Sequence, residues 1–168
     1  FFRFHAAYGH GALDAQGFHA CIVARAGLDQ LSRERVRMEL LKLLVAPHAV
    51  ATLATMTEAG ILVSVLGGVP HLASFANLTK IEPAVGVPAD PVRRLGALGV
   101  VTAEDADRLL QRLRLTNAEH ARLTSIADRW WRVQPLGDHE ARALLYRLGA
   151  ARFTDRALVA WSRSPANA

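Results

Sequence analysis

The chain has 168 residues, 51% of them apolar, which is enough for one packed domain or a string of small helical layers sharing a core. Its longest apolar run, Ile61 to Leu66, falls far short of the roughly 20 residues a bilayer span needs, and no signal peptide is visible. A single cysteine, Cys21, excludes an internal disulfide and suits a reducing cytoplasm, while a net charge of +5 permits a nucleic-acid partner without proving one.

Taken in chain order, nearly every segment reads as helix. Phe1-Phe2-Arg3-Phe4 carries no methionine, cap or turn signal, so residues 1–8 read as the tail of a helix cut from a longer protein and stopped by Gly9 and Gly11. Asp14 can cap a second helix running to about Gly27. Ser32 can cap the strongest one, from Arg33 to about Ala46, where Val36, Leu40, Leu43 and Leu44 form one apolar face before Pro47. Another helix is expected up to Glu58, ended by Gly60. The β-branched runs at 61–66 and 98–101 have strand propensity, but two isolated runs cannot build a sheet with a buried face. They are assigned as short helices or helix ends. A weaker helix at 71–82 precedes a linker from Pro83 to Pro88. Asp90-Pro91, Thr102 with Asp105, and Thr116 with Glu119 then mark three further helix starts. Asp138 is expected to cap a helix carrying Ala141, Leu144, Leu145 and Leu148 on one face and ending at Gly149. Thr154 is expected to open the last helix, to about Arg163, with a frayed tail behind it. The expected fold class is all-α, with about nine helices in a hairpin rhythm and no long repeat.

Catalytic and metal patterns are sparse. Neither a G-x-G-x-x-G turn nor a phosphate-loop lysine motif occurs. His10, His19 and Cys21 lie near one another but lack zinc-ligand spacing, and Cys21 reads as a small apolar residue. Asp105 and Asp107 form a D-x-D at a helix start. Two residues apart on a helix they point about 200° apart, so they suit the positive end of the helix dipole better than a shared Mg²⁺. The chain alone is therefore not expected to be a catalyst.

Arginine is the prominent residue. Of the twenty basic residues only Lys42 and Lys80 are lysine, and the arginine fork suits phosphate. Arg35, Glu39 and Lys42 make a charged stripe beside the third helix's apolar face, with Arg33 and Arg37 on another edge. Spacing leaves two readings open: a solvated face with weak ion pairs, or a stripe that locks the helix against an adjoining domain and sets its angle. Further on come Arg108, Arg112 and Arg114, then Arg129 and Arg132 flanking Trp130 and Trp131. Arg142, Arg147, Arg152, Arg156 and Arg163 follow. Trp130 falls on the core face of its segment, and Trp131 stays open. Composition and helical spacing mark Arg3, Arg33, Arg37, Arg108, Arg112, Arg114, Arg142, Arg147 and Arg156 as candidate RNA contacts.

Leu31 to Leu44, with Ser32, Glu34, Arg35, Glu39 and Lys42 at the diagnostic positions, resembles the neck motif of bacterial CCA-adding tRNA nucleotidyltransferases and their poly(A) polymerase relatives. Phe2-Arg3-Phe4, Leu115 to Glu119, and Tyr146 to Gly149 with Asp155 are similar to further segments of these enzymes. His5, Tyr8 and Ala7 depart from the family's pattern in the first helix. The resemblance implies a neck over 1–66, a helical body and tail over 67–168, and a catalytic head upstream of residue 1. That head would hold Mg²⁺ and use CTP and ATP as substrates. By the same resemblance, Ser32 to Lys42 buttress the neck and nucleotide pocket, and the later helices grip the acceptor stem and TΨC arm of tRNA. The alternatives are the same region of a poly(A) polymerase, or an independent helical binding module. Against the last, no helix–turn–helix pair presents a concentrated basic recognition helix.

Overall fold

The computed structural model describes residues 1–9, 11, 13–128 and 137–164. These form eleven α-helices and no strand: α1 (Phe2–Tyr8), α2 (Ala15–Val23), α3 (Arg33–Leu44), α4 (Ala49–Glu58), α5 (Ile61–Leu66), α6 (Leu72–Ala84), α7 (Pro91–Gly99), α8 (Ala103–Leu113), α9 (Asn117–Ala127), α10 (Asp138–Leu148) and α11 (Ala150–Ser162). The all-α expectation holds, with eleven helices rather than about nine. Arg129, Trp130, Trp131, Arg132, His10 and residues 165–168 lie outside the described residues.

Most boundaries follow local chemistry. The Asp14 carboxylate accepts from the Gln16 and Gly17 amides at 3.3 and 2.9 Å, and Ser32 Oγ accepts from the Arg35 amide at 3.3 Å. Thr116 and Glu119 cap reciprocally at 3.2 and 2.7 Å. The two β-branched runs are helical or helix-terminal, as assigned: 61–66 is α5, and Leu98-Gly99 closes α7.

Four boundaries differ from expectation. The second helix does not run as α-helix to Gly27; it tightens at Ala24 into a 3-10 stretch that continues to Gln30. No residue of α2 or of this stretch is buried, so little packing holds the wider helix there. Pro83 does not begin the linker but sits in the last turn of α6, where its missing N–H removes only a bond near the helix end. Asp138 is the first residue of α10, and Gly137 occupies the cap, its amide 3.4 Å from Glu140 Oε2. The last helix starts at Ala150, not Thr154. Gly149 has φ 75° and ψ 158°, a conformation open essentially to glycine alone, so α10 turns into α11 through this one residue.

The core is continuous from Ala6 to Val159, crossing the junction between residues 66 and 67. Its axis is α7, buried at every position from Val92 to Gly99 and packed against α3, α6, α9 and α11. Close approach of α7 to α9 depends on Gly96: a Cβ there would lie 2.6 Å from Ile126 Cδ1. The helix α1 rests on α3 and α4, α5 rests on α4 and α8, and α10 meets chiefly α11. No helix among the described residues is long and apolar enough to cross a membrane.

Candidate nucleic-acid interface

The helix carrying the neck-like motif is held on both flanks by its own charged residues. Toward α1, Glu39 pairs with Arg3 and, at 3.7 Å, with Lys42. Toward the α8–α9 corner, Glu34 receives Arg114 at 3.1 Å and the Ser32 hydroxyl at 3.0 Å. Its carboxyl is held below the usual range by its own backbone amide first, then by Ser32 and Arg114. Arg37 donates to the Arg114 carbonyl and lies 3.4 Å from Glu119, and Arg33 donates to the Gln111 carbonyl at 3.0 Å. Arg33, Glu34 and Arg37 tie α3 to the α8–α9 corner, whereas the Arg35, Glu39 and Lys42 stripe stays largely exposed and reaches another helix only through Glu39 and Arg3. All but one of the charged side chains of α3 have a partner in this chain.

Arg35 is the exception. Its guanidinium has no partner among the described residues and stands on the rim of a cleft of about 660 Å³ between α1 and α3. Leu40, Leu43, Met56 and Val65 floor this cleft, while Arg3, Ser32 and Glu39 share the rim with Arg35. The motif residues Ser32, Arg35 and Glu39 thus converge on one concavity, whereas Glu34 faces the opposite flank. An apolar floor with a charged rim has the chemistry to hold a group with a flat apolar body and polar edges.

The remaining candidate arginines divide by what they touch. Arg108 bonds Asp105 at 2.5 Å and the Gly99 carbonyl at 3.3 Å. Arg112 bonds the Ser64 carbonyl at 2.6 Å and Asp29 at 2.7 Å. Arg114, at φ 48°, ends α8 in the left-handed conformation with its side chain 66% exposed. Arg156 does not face solvent as an RNA contact would require. It is buried, and its guanidinium points inward to Ser125 at 3.3 Å and Asp128 at 3.2 Å. Arg142 and Arg147 are exposed on α10 with no partner among the described residues. The D-x-D pair separates as helical geometry requires: Asp105 accepts from the Val101 and Thr102 amides, and Asp107 pairs with His120 at 2.8 Å. Among the described residues no three His, Cys, Asp or Glu side chains gather where a metal ion could bind.

Beneath this surface lies a buried ionic network that sequence reading missed. Glu82, wholly buried, takes Arg93 Nε on one oxygen and Arg94 Nε on the other, each at 2.8 Å. Arg94 also donates to the Leu44 carbonyl at the end of α3, and Arg93 to the Pro88 carbonyl. Asp155 on α11 stands 3.6 Å from Arg93 and accepts both prongs of Arg122 at 2.7 and 2.9 Å; Arg122 also reaches Asp90. Three carboxylates and three guanidiniums thus join α3, α6, α7, α9 and α11. The only sequence signal was an Arg-Arg pair inside an otherwise apolar helix.

Burial alone would raise the Asp90 carboxyl, but the Arg93 amide and Arg122 outweigh it and hold it below its ordinary 3.8. Asp105 is likewise lowered against burial by the Thr102 and Val101 amides and Arg108. A depressed folded-state value means that the unfolded chain binds more protons in this window, so stability is lost as pH falls through it. His71 is also lowered, by burial first and then by Arg163, so the unfolded chain takes up its proton first as pH falls through the ordinary 6.5. We expect denaturant midpoints to slip as pH falls through 6.5 and to decline further below the ordinary carboxyl value of 3.8. Equal midpoints at pH 5 and 3 would contradict these contacts.

Fold and site together define a basic, all-helical module whose arginines both hold its helices and populate its surface. Residues 13–75, from the approach to α2 through the first turn of α6, match the model of a family described as "Probable RNA and SrmB- binding site of polymerase A". The match takes in all of α3 and indicates an RNA-binding region of the polymerase A family over that segment. No curated protein matches the chain.

Proposed function

We propose that this chain is the RNA-gripping neck, body and tail of a template-independent RNA nucleotidyltransferase that adds CCA to tRNA 3′ ends. A single observation carries the reading. The helix α3 and its cap Ser32 lie inside the segment similar to an RNA-binding region, and three of the five motif residues, Ser32, Arg35 and Glu39, line a charged-rimmed cleft. In this reading a head domain supplies the metal-bound carboxylates and takes CTP and ATP, with Mg²⁺ assigned to that head. The chain's own part is to hold the acceptor stem and TΨC arm by shape and phosphate contact, the mode an A-form duplex allows. The family description names polymerase A, which favours a second reading: the same region of a poly(A) polymerase. It also names SrmB, whose binding site residues 13–75 would carry under either reading.

The test is a binding titration of the chain with an acceptor–TΨC minihelix, an oligoadenylate of equal length and a DNA duplex, at low and moderate salt. The tRNA reading expects saturable binding that prefers the minihelix and weakens with salt, with a log–log slope of about −0.9 per phosphate contact. Preference for oligoadenylate would favour the poly(A) reading. Equal weak binding to all three would leave only generic basic charge and sink both.

A further inference from the structure

The outward face of α10 sets an exposed aromatic side chain between two of the candidate arginines. Tyr146 is 95% exposed, the most exposed of the large hydrophobic side chains named for the described residues. Helical geometry sets Arg142 about 40° to one side of it and Arg147 about 100° to the other. His139 lies within about 20° of Tyr146, two turns earlier. The opposite face, Ala141, Leu144 and Leu148, is half-buried, and α11 is the helix α10 chiefly meets. Tyr146 is thus not a core residue left short of its core; it stands on the polar side of an amphipathic helix. An aromatic ring in a helix leans back over the preceding turn, here the turn that carries Arg142.

The arginines matter as much as the ring. Arg3, Arg33, Arg37, Arg108, Arg112, Arg114 and Arg156 are each tied to a carbonyl, hydroxyl or carboxylate of the chain. Arg142 and Arg147 have no such partner among the described residues. Asp138 and Glu140, the nearby acids, sit in the first turn of α10, where the helix dipole favours them. The final two turns therefore present two cations on either side of a flat, rigid ring. Such a ring offers contact area at small entropic cost, and every nucleobase has a face to stack on it.

Resting on the RNA-binding reading, we propose that this face of α10 is a platform for an unpaired nucleotide of the bound RNA. Tyr146 stacks on the base, and Arg142 and Arg147 take the phosphates on its two sides. Paired bases cannot reach Tyr146 without leaving their stack, so the platform reads the single-stranded character of a loop or end rather than its sequence.

Fluorescence anisotropy of the full chain with two labelled RNAs of equal length tests this: a hairpin with an open loop and a blunt duplex without unpaired nucleotides. Tyr146→Ala is expected to weaken hairpin binding about ten-fold and to leave the duplex within about two-fold. Tyr146→Phe keeps the ring and should bind as the parent does. Arg142→Gln should weaken both RNAs and reduce the salt slope by about one contact. The exposure of both side chains predicts unchanged helical circular dichroism for every variant. If Tyr146→Ala binds the hairpin like the parent, or loses both RNAs equally, the platform is refuted while RNA binding stands. A protein-docking role for this face would give the first of those results. If the parent chain binds neither RNA, the RNA-binding reading fails and the platform with it.

Discussion

Replacing Glu82 with alanine is expected to destabilise the bundle by about 3–5 kcal/mol, the usual cost of stranding a buried charge. The two arginines would not suffer equally. Arg93 would keep the Pro88 carbonyl and the Asp155 carboxylate 3.6 Å away. Arg94 would keep only the Leu44 carbonyl, as a cation with no anion beside it. Glu82→Gln should be costly too, because an amide offers one acceptor where two guanidiniums each need an oxygen. Against a typical total of about 5–15 kcal/mol, such a loss is a large share. Guanidinium chloride titrations measure it, and the helical content of the purified variants shows whether they fold at all. Adding Arg94→Met to Glu82→Ala should cost less than the two single effects summed, since the second change removes the charge that the first stranded. A Glu82→Ala loss below about 1 kcal/mol would mean the network is hydrated rather than buried.

Phe75→Ala is the second large effect, expected at about 3–5 kcal/mol. Phe75 is fully buried on α6, the helix that packs against α4, α7 and α11. Truncation removes both the transfer energy of the ring and the contacts of the side chains around it, because close-packed helices relax only partly into the space. For a chain of this size the melting temperature should fall by about 6–20 °C. Phe75→Leu keeps much of the volume and should cost markedly less. Similar melting temperatures for the alanine and leucine variants would show that the site collapses freely and that the packing around α6 is loose.

How much of this was legible beforehand differs by level. Helix starts with polar caps could be read because a cap is a local device: Asp14, Ser32, Asp90 and Thr116 act on amides two or three residues away. Gly137 and Gly149 were harder. At Gly137 the neighbouring Asp138 offered a more conventional cap, and at Gly149 a backbone conformation rather than a side chain sets the boundary. The apolar face of α3 was visible from its period, and Leu40, Leu43 and Leu44 are buried as that period implied. The face of α10 was equally visible in pattern, yet no residue of α10 is buried. Periodicity says which side of a helix is apolar, not how much of the protein arrives to cover it.

For the candidate site the division is sharper. The residues of the neck-like motif could be named from sequence, as could the surplus of arginine over lysine. Which arginines are spent inside the fold could not. Arg33 and Arg37 lie 77 or more residues from the carbonyls they hold, and Arg156 is turned inward by partners about 30 residues away. By itself the sequence determined an all-helical chain, its main helix caps, its basic balance and the motif on α3, because each depends on neighbours within a turn or two or on simple counting. Tertiary structure alone decided the Glu82–Arg93–Arg94 network, the cleft beside Arg35 and the two arginines left unpartnered around Tyr146. Those depend on which helices meet, and a guanidinium's partner is set by distance in space, which spacing along the chain does not encode.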